Sequence, residues 1–242
     1  LSMPVASILT LIMVIFIGYC NGITVVKSGL PSFIITLGSL FMVRGVTIAV
    51  SKMVTGRTQL GGLEESKGYN IMSSIFSNSL TISETDFPIS IFWWMLFGVL
   101  GYFLLKHTQP GNWIFATGAS QESAKLMGIP VQKVKISLFM LTAFCSWFIA
   151  VTQVTTFGGA DVLRGEQKEF IAIIAAVIGG TLLTGGYGSI IGAMIGALIF
   201  GIVKQGIIFA GVDADWFQVF MGVMLVSAVL VNGTFRKKYA QG

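Results

Sequence analysis

The chain is a succession of apolar runs of about 20 residues separated by polar turns. A helix rises 1.5 Å per residue, so each such run can cross the roughly 30 Å hydrocarbon layer of a bilayer. The runs are Val5–Val26, Phe33–Val50, Phe87–Leu105, Ile136–Phe157, Ile190–Phe209 and Trp216–Val231. One more, Phe170–Leu183, is about 14 residues long and short for a full crossing. Only 10% of the residues are charged, against about 25% in a soluble domain. There is too little polar surface to coat such a chain in water. The fold class is therefore all-α: a polytopic transmembrane helical bundle, a single domain over residues 1–242 with about seven spans.

The charges give orientation. Lys27 lies in one loop, Lys106, Lys125, Lys133 and Lys135 in a second, and Arg236, Lys237 and Lys238 in the tail. If the spans alternate, these three regions share one side, which the positive-inside rule makes cytoplasmic. The opposite loops hold Glu64, Glu65, Glu84, Asp86, Asp161, Glu166, Glu169, Asp213 and Asp215, leaving Glu122 as the one remaining acid. The parity holds only if the short Phe170 run crosses. The net charge of +5 is spread over these loops and not gathered on one soluble face, which argues against a nucleic-acid partner. The partner that composition implies is the lipid bilayer. Because the chain opens on Leu1 and is apolar at once, with no basic leader, it is expected to begin inside a longer protein.

Chemistry has little footing. His107 is the lone histidine and sits at a span edge beside Lys106. No HExxH, nucleophile elbow or Walker A sequence is present. No catalytic residue, cofactor or metal site is assigned. Cys20 and Cys145 lie inside apolar runs with no CxxC spacing, which predicts buried free thiols. Gly188, Gly192 and Gly196 recur every four residues and predict a small-residue face for close helix packing. A phosphate loop there is disfavoured, since no strand precedes the glycines and no Lys-Ser/Thr follows. Arg44 and Lys204 lie within spans, near enough to the outer ends to snorkel, with a translocation path as the competing reading. Thr152, Gln153, Thr155 and Thr156 cluster within two turns. They fit a translocation path, and inter-helix hydrogen bonding accounts for them equally well.

The most distinctive stretch is Trp113–Lys135, polar and helix-prone between two spans. Gln121–Met127 can form about two turns, started by Ser120 as N-cap and ended by Gly128 with Pro130 beyond. It is either a surface connector or a surface that meets a soluble partner. Ala116-Thr-Gly118-Ala-Ser-Gln-Glu-Ser-Ala-Lys-Leu-Met-Gly128-Ile129, with Val131, Lys133 and Lys135 following, resembles the cytoplasmic-loop signature of bacterial ABC sugar permeases of the ribose/xylose/galactoside type. The resemblance extends through Gly29–Gly38, Arg44-Gly45, Ile171–Gly180 and Gly185-Gly-Tyr-Gly188 to Gly192 and Gly196, nearly the whole chain. Branched-chain amino acid permeases look more distantly similar.

That resemblance implies an ABC-permease fold with further helices ahead of Leu1, in the inner membrane. It implies a subunit that hydrolyses nothing itself and imports a simple sugar, with another small solute such as a branched-chain amino acid or nucleoside as the alternative. The implied partners are a cytoplasmic ABC ATPase, a periplasmic sugar-binding protein and a second permease copy or paralogue. Residues 106–135 would form the coupling loop. Gly118, Glu122, Ala124, Gly128 and Ile129 would shape the ATPase contact, with Ser120 and Gln121 in the same loop. Family members commonly have Gly-Asn where this chain has Ala119-Ser120. A self-sufficient channel or carrier would want membrane-depth acids around an ion site, yet every acid here is in a loop. A membrane scaffold would transport nothing.

Overall fold

The computed structural model describes residues 2–82, 84–213 and 216–240; Leu1 and Asp215 lie outside them. Ten α-helices occur among the described residues: α1 (Met3–Ser28), α2 (Ser32–Thr55), α3 (Tyr69–Phe76), α4 (Ser90–His107), α5 (Gln109–Ala119), α6 (Gln121–Leu126), α7 (Val131–Phe157), α8 (Lys168–Ile178), α9 (Ile190–Phe209) and α10 (Trp216–Ala240). The polar connections hold a 3-10 turn (Leu63–Glu65) and four short strands, β1 (Gln59–Leu60), β2 (Ser79–Ile82), β3 (Thr85–Pro88) and β4 (Ala160–Asp161). These pair antiparallel as β1–β4 and β2–β3. Among the described residues, these two ribbons depart from an all-helical chain.

Every apolar run appears as a helix. Five of them, α1, α2, α4, α7 and α9, are long and apolar enough to cross a membrane by length and composition. In α10 the apolar part within the described residues is Trp216–Ser227. The short run is α8, 11 residues and thus about 16 Å, half the hydrocarbon thickness. It ends early because Gly180 takes the left-handed conformation (φ 84°). Its N–H bonds Val177 O and that of Thr181 bonds Ala176 O, the paired bonds of a Schellman cap. The crossing expected of Phe170–Leu183 is not completed by helix α8 alone.

The chain folds as two compact units. The first comprises residues 1–95 and 132–165. In it α1 lies against α7 through Gly18 and Gly22: a methyl group at Gly18 would come within 2.8 Å of Ala143 Cβ, and one at Gly22 within 3.0 Å of Ile136 Cα. Its apolar centre is Met72 and Phe76 of α3 with Val151 of α7, flanked by Met3, Trp147 and Phe148. The Phe76 ring stacks on Trp93 at 6.2 Å and meets Trp147 edge-on at 6.2 Å. Both indoles are anchored by their N–H, Trp147 to Ser7 O (2.9 Å) and Trp93 to Ile75 O (2.8 Å). In sequence, Met72 and Phe76 are one helical turn apart inside what reads as a long polar connection. That i, i+4 pair is the signal for α3. The 58–65 and 158–164 segments are also tied. Gln59 Nε2 donates to Asp161 Oδ2 (3.1 Å), and the Arg164 guanidinium donates to Gly159 O (2.8 Å) and lies over the Phe157 ring.

The second unit comprises residues 96–131 and 166–242. Ile174, Phe200 and Met221, from α8, α9 and α10, form its core. Lys204 of α9 has its Nζ 5.3 Å from the centre of the Phe217 ring, a cation–π contact. Cys20 and Cys145 are free, as expected, but exposed on the chain rather than buried. An apolar run in a soluble protein implies protein burial, whereas in a membrane helix lipid serves as well.

Replacing Phe76 with Ala removes the ring that joins α3 to Trp93 and Trp147. It is expected to cost about 3–5 kcal/mol and to shift tryptophan emission to longer wavelength, measured by thermal and fluorescence unfolding in detergent. Trp147→Phe, which loses one hydrogen bond, should cost about 1 kcal/mol.

Candidate functional site

The Trp113–Lys135 stretch folds as helix, corner and helix. Thr108 caps α5: its Oγ accepts from Gly111 N (3.3 Å) and donates to Leu104 O (2.6 Å), joining the end of α4 to the start of α5. Beside it, His107 stacks on Phe103 at 5.4 Å. Helix α5 was not expected as a separate element: the Trp113–Lys135 stretch reads as helix-prone, with a defined helix only at Gln121–Met127.

Ser120 is the corner. Its extended backbone (φ −155°, ψ 114°) ends α5, with its N–H bonded to Ala116 O, and begins α6. Its Oγ accepts from Ser123 N (3.2 Å) and lies 3.0 Å from Ser123 Oγ. The cap expected of Ser120 is thus in place. Helix α6 stops where Gly128 turns left-handed (φ 78°). Gly128 N bonds Lys125 O and Ile129 N bonds Ala124 O, both at 3.0 Å, a second Schellman cap.

Burial divides α6 sharply. Ala124 is 0% exposed and anchors the helix, while Leu126 is 91% exposed and Met127 66%. Gln121, Glu122 and Lys125 are exposed beside them. Two large apolar side chains held outward on a capped helix of polar neighbours form a surface that can bury apolar area only against another molecule. Sequence reasoning named the helix but passed over this Leu-Met pair, whose signal was apolar residues closing an otherwise polar turn.

Gly118 lies in the last turn of α5. A methyl group there would collide with Gly186 N, and one at Gly186 would sit 2.9 Å from Ala119 Cα. The end of α5 therefore meets the turn between α8 and α9 backbone to backbone. Gly188 is not on the α9 face: it precedes Ser189, the cap of α9, and packs on Thr181. Gly192 and Gly196 do face α8. Side chains there would strike Gly179 O and Ala175 O.

In α7 the threonine hydroxyls bond their own helix: Thr152 to Phe148 O (2.9 Å), Thr155 to Val151 O (3.0 Å) and Thr156 to Thr152 O (2.7 Å). Thr155 is 2% exposed, and its carbonyl accepts from Tyr69 OH (2.7 Å). Gln153 is half-buried, and its carbonyl accepts a long bond (3.4 Å) from Arg164. Among the described residues no group of three His, Cys, Asp or Glu side chains could hold a metal ion.

Residues 1–229 match the family described as branched-chain amino acid transport system / permease component. The chain belongs to this permease family. Similar proteins include the fructose import permease of Bifidobacterium longum (29% identical over 89% of this chain and 62% of that protein). Others are the fructose import permease of Rhizobium meliloti (30%, over 91% of this chain and 60% of that protein) and the ribose import permease of Escherichia coli K12 (29%, over 89% and 64%). An autoinducer 2 import permease of Salmonella paratyphi B is 28% identical over 94% of this chain and 67% of its own length. The permease chain thus spans 60–64% of these fructose and ribose permeases. No solved structure matches it. Membership makes the apolar helices those of a multi-pass membrane protein, and the family is one of transport components.

Ser120→Ala removes the shared cap. It is expected to destabilise α6 by about 1 kcal/mol and to speed hydrogen exchange at the Ser123 amide several-fold, read by mass spectrometry, with α7 unaffected.

Proposed function

We propose that this permease is the membrane subunit of an ATP-driven importer of a simple sugar, ribose-, xylose- or galactose-like, in the inner membrane. The ATPase is a separate cytoplasmic subunit, a periplasmic binding protein delivers the sugar, and a second copy or paralogue completes the membrane pair. The observation that carries the reading is the capped α6 helix with Leu126 and Met127 held outward, in a family member similar to ribose and fructose import permeases.

In this reading residues 106–135 form the coupling loop. The ATPase takes Leu126 and Met127 into an apolar recess, and Gln121, Glu122 and Lys125 set the polar rim. Ser120 and Gly128 fix the two ends of α6 so that it moves as a body, and Gly118, Ala124 and Ile129 hold it to the rest of the loop. ATP binding favours the conformation in which the ATPase contacts are best made, and the central path alternates by that difference in affinity. Gln153 is the member of the α7 polar run best suited to that path, since the neighbouring threonine hydroxyls bond their own helix.

A second reading, import of another small solute, has its own support in the family description and the autoinducer 2 relative. Reconstitution with the ATPase and binding protein separates the two by which solute stimulates ATP hydrolysis. Uptake without any ATPase would instead indicate an independent carrier.

Gly128→Pro and Glu122→Arg are each expected to abolish solute-stimulated ATP hydrolysis while the protein stays in the membrane; normal stimulation in both would refute the docking role of α6. Leu126→Ser removes a side chain whose burial is worth about 1.5–3 kcal/mol. It should weaken ATPase association about 10- to 100-fold, measured by titration in detergent.

A further inference from the structure

The turn between α8 and α9 carries a backbone shape that its own sequence does not require for a simple reversal. Leu182 N bonds Tyr187 O and Gly185 N bonds Leu182 O, both at 3.0 Å, closing residues 182–187 into a compact loop. Gly185 and Gly186 are both left-handed (φ 86° and 81°). That shape lays their backbone on Gly118 and Ala119: a methyl group at Gly185 would come 2.9 Å from Gly118 O, and one at Gly118 would collide with Gly186 N. Downstream, the loop is fastened to both helices. Gly188 packs on Thr181, Ser189 caps α9 by accepting from Gly192 N, and Gly192 and Gly196 rest on the α8 backbone. Upstream, Gly118 is two residues from Ser120, the corner of α6.

We propose that Gly118, Gly185 and Gly186 are positioning residues that form the joint through which displacement of α6 is passed to the α8–α9 pair. The proposal rests on the importer reading above and adds the route within this subunit. At the seam backbone lies on backbone, with the Ala119 methyl beside Gly186; in this proposal the α5 end and the turn travel together, and α9 follows because the turn is closed on itself and packed on α8.

The structure supplies matched controls. Gly118 is helical, so Gly118→Ala adds only the collision. Gly186→Ala adds collision and left-handed strain. Gly180 has the same left-handed backbone (φ 84°) with nothing within 4 Å of a methyl group, so Gly180→Ala adds strain alone. The assembled transporter, permease with its ATPase in lipid vesicles and with the exposed Cys20 and Cys145 replaced by Ala, would carry a spin label at Ile202→Cys on the exposed face of α9. The shift of that label between nucleotide-free and ATP-analogue states would be recorded. Expected is a shift in the unaltered background and in Gly180→Ala, and a population response weakened about tenfold in Gly118→Ala and Gly186→Ala with ATPase still bound. An undiminished shift in Gly118→Ala overturns the joint while leaving the importer reading intact. Failure of the unaltered chain to recruit any ATPase overturns the importer reading and the joint with it. Should Gly118→Ala not assemble, labels at Asn112→Cys in α5 and Tyr187→Cys in the turn decide the matter. A distance between them that is the same in both nucleotide states supports the joint, and one that changes refutes it.

Discussion

Inside hydrocarbon a backbone polar group has no water to turn to, so each spanning segment must satisfy its own. That single demand explains why the apolar runs are helices, and it extends to the side chains they tolerate. Thr24, Thr47, Thr142 and Thr152 each return their hydroxyl to a carbonyl one turn back. Ser146 does the same to Thr142 O. Polar residues thus enter the spans at little cost, and their presence alone does not mark a path. Several irregular segments are paired by other groups: the Gln59–Asp161 ribbon, the Arg164 bonds to carbonyls, and the closed 182–187 loop.

The parts of the fold legible in sequence were those set by local pattern. Run length gave the helices, and Ser120 and Gly128 gave the ends of α6, because capping depends on residues within a few positions of each other. What local pattern could not give were meetings between distant segments. Tyr69 reaching Thr155, Lys204 lying over Phe217 and Gly118 touching Gly186 join residues far apart in the chain. Helix α3 was hidden because it has only 8 residues and its buried Met72 and Phe76 are a single pair one turn apart, too few to stand out from their polar surroundings. The cysteines show the opposite error. Their apolar context was read correctly, but it implied lipid or partner rather than protein as neighbour.

The candidate site divides in the same way. Its helix and corner were readable; its outward Leu126 and Met127 were not, because apolar residues at a helix end look like core until burial is known. Ala124 clarifies the contrast. The smallest apolar residue of α6 is the buried one, which lets the helix lie close to its support while the larger residues face away.

Ser120 is at once the C-cap of α5 and the N-cap of α6, the single residue between them. Each residue of helix turns the chain by about 100°, so the direction in which Leu126 and Met127 point is set by residue count from Thr108 onward. One residue inserted or deleted in α5 would swing that pair by more than a quarter turn and raise or lower it by about 1.5 Å. The loop is therefore constrained in length as well as at the positions that cap and pack it: its register is a molecular ruler.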